Sequence, residues 1–249
     1  MLITESFVML NYPKTGSTFA RKVVKDLYSN EPRRWFKRRS CKELILPNIR
    51  HAGPPDQHGC YSQIPRRYRN REVVSIVRNP YDRFLSGFEF RYWAVNPIAS
   101  LETIRERFPK FPELTLDEYV DFFQFEHDSP VGPQTFQFMQ LFSRELPRPF
   151  SEFPSLKSVM DGLANVTFLR QENLNCELVE FLNRKGFSRE RIAFITKHEP
   201  VNVTVGRSAD RNRLWTQKAL DFVGASESLL FRILAEKGIW YQPPRSLAA

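Results

Sequence analysis

Apolar positions along the chain fall into two alternating patterns, short continuous runs and stripes with helical spacing. Phe7-Val8-Met9-Leu10 is a run of the first kind and reads as a short buried strand. The polar, Pro- and Gly-bearing stretch Asn11-Tyr12-Pro13-Lys14-Thr15-Gly16-Ser17-Thr18 that follows has the composition of a turn. Beyond it Phe19, Val23, Val24, Leu27 and Tyr28 recur at i, i+4, i+5, i+8 and i+9, one face of a helix. The order is therefore strand, tight loop, helix. A second unit of the same kind starts at Val73-Val74-Ser75-Ile76-Val77, a β-branched run of the type found in parallel strands covered on both faces. Arg78-Asn79-Pro80 breaks it, and Tyr81 to Phe90 resumes in helical spacing. Val166-Thr167-Phe168-Leu169 reads as a further strand, and Ile192 to Ile195 as another. Between them Leu174, Leu178, Val179 and Leu182 mark a helix that Lys185-Gly186 stops. Strands alternating with helices predict an α/β fold with a central parallel sheet flanked by helices.

The stretch from about 81 to 150 holds nearly half of the chain's aromatic residues, including Phe122-Phe123-Gln124-Phe125 and Phe136-Gln137-Phe138. Helical core is the plain reading for most of them, with a few left to line a pocket for a second substrate. The chain has no internal repeat, low-complexity segment or Gly/Ser linker, so residues 1–249 are expected to form one domain with 81–150 as a helical insertion.

Composition narrows the class further. Hydrophobic residues make up 41% and charged residues 26% of the chain, which excludes disorder, collagen-like repetition and a fibrous coiled coil. No apolar run approaches the ~20 residues of a membrane helix, and Glu5 and Lys14 interrupt any secretory signal. Cys41, Cys60 and Cys176 are odd in number and form no C-x-x-C pair, so neither a disulfide scaffold nor a Cys-based zinc site is expected. A cytoplasmic location follows as the simplest expectation. The N-x-T triplets at Asn165 and Asn202 are then accidental.

With 37 Lys and Arg against 28 Asp and Glu, the net charge of +9 asks for an anionic partner: a nucleic acid, an acidic membrane surface or a polyanionic small ligand. The basic residues lie in clumps at 33–39, 66–71 and 207–213, each of which reads as a solvated surface when taken alone. Binding of nucleic acid would call for aromatic residues interleaved with the basic ones, and most aromatic residues lie elsewhere.

The loop after the first strand is more informative. A strand that feeds a Gly-containing turn into a helix presents unpaired backbone N–H groups and a positive dipole end, a ready anion site. Lys14 adds a mobile charge, Gly16 allows close approach of the backbone, and Ser17 and Thr18 add hydroxyl donors. An ordinary βα turn with a Ser or Thr cap is the plain alternative. It is not a Walker A loop, because Lys14 precedes Gly16 and no glycine lies upstream. The second strand ends in Arg78 rather than in an acidic residue that could hold magnesium, which weighs against a phosphotransferase.

Tyr12-Pro13-Lys14-Thr15-Gly16-Ser17-Thr18-Phe19 resembles the 5′-phosphosulfate loop of sulfotransferases that use 3′-phosphoadenosine 5′-phosphosulfate (PAPS). The segment from Val73 to Ser86, with Arg78 and Ser86 eight residues apart, is similar to their 3′-phosphate-binding segment. Arg170-Gln171-Glu172-Asn173-Leu174 resembles a recurring segment of the membrane-family and bacterial carbohydrate-type enzymes. The resemblance covers most of the chain and thins from 101 to 150.

That resemblance implies a P-loop NTPase-like sulfotransferase fold, PAPS as co-substrate, PAP as product, and no metal. It assigns Lys14 to the leaving 5′-phosphate and the bridging oxygen, and Thr15, Gly16, Ser17, Thr18 and Phe19 to the loop that holds that phosphate. Arg78 and Ser86 would bind the 3′-phosphate, the arginine through its charged fork. A basic loop at 197–208 would close over the nucleotide, with Arg207, Arg211 or Arg213 contributing. Relatives place a catalytic His or acidic residue between the two phosphate segments; this chain offers His51, His58 and Asp56, of which His58 fits the spacing to Arg78 best. His127 has no supporting neighbours and reads as structural. The implied acceptor is a hydroxyl or amine of a small molecule or carbohydrate, with no nucleic-acid or membrane partner. Members of the secretory pathway carry a membrane anchor that this sequence lacks, so the expectation is either a bacterial-type soluble enzyme or one whose anchor has been removed.

Overall fold

The computed structural model describes residues 1–29, 40–48, 53–126, 131–145, 155–197 and 214–244. Its strands are β1 (Leu2–Thr4), β2 (Phe7–Leu10), β3 (Cys41–Glu43), β4 (Leu46–Asn48), β5 (Gly53–Asp56), β6 (Glu72–Val77) and β7 (Val166–Arg170). The helices are α1 (Ser17–Ser29), α2 (Pro80–Phe90), α3 (Tyr92–Val95), α4 (Leu101–Arg107), α5 (Leu116–Glu126), α6 (Pro133–Phe142), α7 (Leu156–Leu163), α8 (Leu174–Arg184), α9 (Arg189–Ile192), α10 (Gln217–Ser226) and α11 (Ser228–Glu236). Contacts group them into two compact units, residues 1–78 with 137–202 and residues 79–136 with 203–249. Among the described residues no helix is long and apolar enough to cross a membrane.

The first unit is built on a five-stranded sheet of order β3-β1-β2-β6-β7. β2, β6 and β7 run parallel, with Leu10 opposite Ser75 and Val77 opposite Arg170. These three strands are the parallel centre the sequence predicts, and two further strands make the sheet as a whole mixed: β1 pairs antiparallel with both β2 and β3. Only Glu5 and Ser6 separate β1 from β2, and so short a connection can only return the chain antiparallel. Thr4 fixes that turn, its hydroxyl accepting from the amides of Ser6 and Phe7 and donating to the Phe7 carbonyl.

Alternation along the strands explains why both faces are covered. Phe7 and Met9 of β2, Val74 and Ile76 of β6 and Leu169 of β7 share one face and meet the stripes of α1 (Phe19, Val23, Val24, Leu27) and α8 (Leu178, Phe181, Leu182) in one buried cluster. Each such fully buried side chain contributes roughly 1.5–3 kcal/mol. The opposite face carries an aromatic cluster in which Phe138 and Phe142 of α6 meet Tyr12 and Phe168.

The segment Ile192–Ile195 is helical rather than a strand: α9 ends at Ile192 and a 3₁₀ turn continues from Ala193 to Lys197. Ile192 and Ile195 are both buried, and their spacing of three fits a helical face. A four-residue run satisfies either period, and packing against the α8 side of the sheet decides between them.

The second unit has its own core, in which Phe84, Leu85, Phe108, Phe111, Tyr119 and Phe122 are buried with Trp215, Leu220 and Val223. Trp93 lies flat against Phe88 and also meets Phe111, Tyr119 and Phe122. Most of the aromatic wealth of 81–150 therefore lies in core, some of it in each unit's own, whereas Phe90 and Tyr92 are exposed. The buried Glu227 carboxylate holds the start of α6 by accepting from the amides of Gln134 and Thr135 and from the Thr135 hydroxyl.

Candidate functional site

The carboxyl ends of the three parallel strands β2, β6 and β7 lie side by side in the first unit, the edge at which open α/β sheets bind ligands. The Ser75 hydroxyl donates to the Leu10 carbonyl at 3.0 Å and locks β6 to β2 just before both strands end.

Past Leu10 the chain is held from below. Tyr12 is buried in the aromatic cluster, and its carbonyl accepts from the hydroxyls of Thr15 at 2.7 Å and Ser17 at 3.0 Å. These two bonds curl residues 12–17 into a closed loop. The curl forces Lys14 to φ +64° and Gly16 to φ +82°, the left-handed region that costs an L-residue about 1–2 kcal/mol and a glycine almost nothing. Gly16 is exposed, and a Cβ there would lie 3.2 Å from Leu174 and 3.3 Å from Gln171. The segment that follows β7 thus packs under the loop.

α1 starts from this turn. Its first backbone bonds run from the amides of Phe19 and Ala20 to the Gly16 carbonyl, so the amides of Ser17 and Thr18 precede the first intrahelical acceptor. They sit at the positive end of the helix dipole. The Phe19 ring is part of the core and anchors the helix start. Thr15 and Ser17 are buried and brace the loop with their hydroxyls, and Thr18 is half-buried.

Two cationic residues meet at this edge. Arg78 directly follows β6, and its guanidinium donates to the Lys14 carbonyl at 3.3 Å. The sequence places Lys14 and Arg78 64 residues apart; parallel pairing of β2 with β6 brings them together. Ser86 lies in α2, in the second unit.

His58 reaches the same strand end. Its ring Nδ1 is 2.8 Å from the carbonyl oxygen of Asn11, the first residue after β2. The Asp56 carboxylate accepts from the His58 amide at 2.6 Å and sets the turn that presents the ring. The Asn11 side chain donates to the Gln57 carbonyl at 2.9 Å, a second tie between the loop and this segment. A carbonyl oxygen can only accept, so Nδ1 carries the proton in this contact, and of the two neutral tautomers the contact selects the one with its lone pair on Nε2.

Of the residues singled out in the sequence, Lys14, Thr15, Gly16, Ser17, Thr18, Phe19, His58 and Arg78 belong to this one edge of the first unit. His51, Arg207, Arg211, Arg213 and His127 lie outside the described residues. Asn11 stood in the sequence as part of the turn, and Gln171 and Leu174 as part of the 170–174 segment; that Gln171 and Leu174 pack against Gly16 and that Asn11 meets the His58 segment is new, because nothing in their spacing links them. The three thiols are free, and burial pushes Cys41 up to about 11. The side chain of Asn165 donates to the Arg71 carbonyl at 2.6 Å.

A family model described as "Sulfotransferase family" matches residues 3–199 of the chain. Among solved structures, the crystal structure of the mouse sulfotransferase SULT7A1 complexed with PAP is similar at 16% identity, covering 93% of this chain and 88% of that one, with a TM-score of 0.42. No curated protein matches significantly.

Proposed function

The chain belongs to the sulfotransferase family, and from that premise we propose that it transfers the sulfuryl group of PAPS to a hydroxyl or amine of a small-molecule or carbohydrate acceptor. The observation that carries the choice of donor is the convergence of Lys14, Arg78 and the start of α1 at one sheet edge. A donor with phosphates on both its 5′ and 3′ positions needs positive groups at two points, and this edge supplies them.

In this reading the amides of Ser17 and Thr18 hold the 5′-phosphate at the dipole end of α1. Lys14 neutralises the charge that builds on the bridging oxygen as the bond from sulfur to that oxygen breaks. The closed loop keeps Lys14 in place before the donor arrives, so little reorganisation is left for the reaction itself. Arg78 binds the 3′-phosphate through its charged fork. His58, with Nδ1–H given to Asn11, offers Nε2 to the acceptor hydroxyl. It takes the proton as the new bond from the acceptor oxygen to sulfur forms, and PAP leaves with the electron pair of the broken bond. His51 and Asp56 are the competing bases. Asp56 already accepts from the His58 amide, which suits it better to positioning.

Calorimetric titration with PAP, beside Mg-ATP and a random oligonucleotide, tests the donor. PAP is expected to bind the folded protein selectively, and Lys14→Ala or Arg78→Ala to weaken that binding about tenfold or more. Folded protein that ignores PAP but binds Mg-ATP or the oligonucleotide would overturn the assignment. Transfer of labelled sulfate from PAPS to a panel of sugar and phenol acceptors then identifies the acceptor class. His58→Ala is expected to lower kcat for a hydroxyl acceptor about 10²–10⁴-fold with PAP binding intact.

A further inference from the structure

The second unit holds a surface cavity of about 470 Å³ between the first turn of α2, one face of α10 and Pro243-Pro244. Gln217, Leu220, Asp221 and Gly224 recur at i, i+3, i+4 and i+7 and make that face of α10. Asn79 ties the walls together. Its side-chain oxygen accepts from the Tyr81 amide, and its nitrogen donates to the Gln242 carbonyl at 3.0 Å. The volume falls within the roughly 300–1,000 Å³ typical of small-molecule sites. None of the residues given a part in sulfuryl transfer lines it.

Tyr81 makes the observation that points to a ligand. The residue is only 8% exposed, and its ring packs edge-on against Trp215 and tilted against Phe231. A tyrosine buried to this extent ordinarily gives its hydroxyl a hydrogen-bond partner. Among the described residues this hydroxyl has none, and it is the polar group that Tyr81 brings to the cavity. Glycine at 224 leaves room for it, since a Cβ there would lie 3.1 Å from the hydroxyl oxygen. Burial raises the pKa of the phenol and the Asp221 carboxylate adds to the rise, so the hydroxyl stays protonated.

The other polar groups of the cavity are acceptors. Gln217 Nε2 donates to the Asp221 carboxylate at 2.7 Å, which leaves the amide oxygen and the second carboxylate oxygen for a ligand. Among the described residues no lysine or arginine lines the cavity, although the chain as a whole carries a net charge of +9.

We propose that this cavity binds a small organic amine in its charged form. The ammonium group lies at Asp221, with the Tyr81 hydroxyl and the Gln217 amide oxygen as further acceptors. The apolar body rests on Leu220, Ala225 and the two prolines. An ammonium group donates and cannot accept, which matches a wall of acceptors. An anion, a phosphorylated nucleotide included, meets a carboxylate with no cation beside it. A neutral alcohol of the same shape gains nothing from that charge. The inference does not rest on the sulfuryl-transfer reading, because the two sets of residues do not overlap.

Calorimetric titration of the full chain with phenethylamine at pH 7 tests the site, with phenylpropionate and phenylethanol as the anionic and neutral counterparts. The amine is expected to bind once per chain, and both counterparts about tenfold more weakly or worse. Asp221→Asn keeps the shape and removes the charge, and should lose about tenfold in affinity for the amine. Tyr81→Phe removes only the hydroxyl and should lose about threefold or more. Both variants should keep the wild-type melting temperature and PAP binding. Failure of the folded wild type to bind the amine overturns the proposal. So does equal binding of phenylpropionate or phenylethanol, or undiminished binding of the amine by Asp221→Asn. PAP is titrated into the same preparations, so a failure of the donor reading is told apart from a failure of this site.

Discussion

Lys14 accepts a backbone strain that glycine would avoid, and this separates its two contributions. At φ +64° a lysine costs about 1–2 kcal/mol more than a glycine. Lys14→Gly is therefore expected to be more stable than Lys14→Ala by about 1 kcal/mol in urea melts, although both lose the charge. Sulfuryl transfer should fall about 10²–10³-fold in both, because the lost group acts on the transition state. Equal stability of the two variants would mean that the loop relaxes. Gly16 shows the converse case. Gly16→Ala combines φ +82° with contacts at 3.2 and 3.3 Å to Leu174 and Gln171, so it should cost about 1–2 kcal/mol and weaken PAP binding. Adding Leu174→Ala removes a contact but not the strained φ, and should leave most of that cost in place. Lys14, Gly16 and Arg78 were legible in the sequence because a βα loop needs a glycine and an anion site needs cations. Gln171 and Leu174 under Gly16, and Asn11 against His58, were not, because those contacts join segments far apart in the chain.

Elements are joined here by a close backbone approach and by a side-chain ion pair. α7 approaches the end of α6 so closely that a Cβ on Gly162 would fall 1.9 Å from the Phe142 carbonyl oxygen. That contact is with rigid backbone, so Gly162→Ala should cost upward of about 2 kcal/mol and lower the melting temperature by several degrees. Position 162 sits in an amphipathic helix whose pattern gives no hint of this, since periodicity reports faces and not distances. At the start of β6, burial works to raise the pKa of Glu72, but bonds from Lys185 and Thr167 outweigh it and hold the carboxyl below its usual value of 4.5. A lowered folded-state pKa stabilises above the unfolded value and loses that stabilisation as pH falls through the folded one. Glu72→Gln should thus be less stable than wild type at pH 7, by up to about 1 kcal/mol, and the gap should close below pH 4.5. Denaturant midpoints taken across that range check it. The strands β2, β6 and β7 were readable as apolar runs, whereas Leu2–Thr4 was too short to stand out and Ile192–Ile195 fitted two periods at once.

Across the whole molecule, charge is distributed unevenly along the chain. Residues 1–78 hold 16 of the 37 Lys and Arg but only 6 of the 28 Asp and Glu, whereas residues 79–136 hold 5 and 10. The positive surplus therefore lies in the segment that carries both the Lys14 loop and the basic run at 66–71. PAP association should be fast at low ionic strength and slow as salt rises toward 1 M, with the dissociation rate much less affected; stopped-flow titration separates the two. A salt-independent association rate would mean that the surplus does not steer the donor. The sequence by itself determined the alternation of strand and helix, the position of the turn between β2 and α1, and Lys14 and Arg78 as candidates for binding an anion, because local period, turn composition and charge are properties of neighbouring residues. Only the tertiary structure decided that the sheet is mixed, that Arg78 braces Lys14, and that Asn11 accepts from Nδ1 of His58. Each of these depends on which strands pair and in what direction, and pairing is set by the packing of the whole core rather than by any one segment.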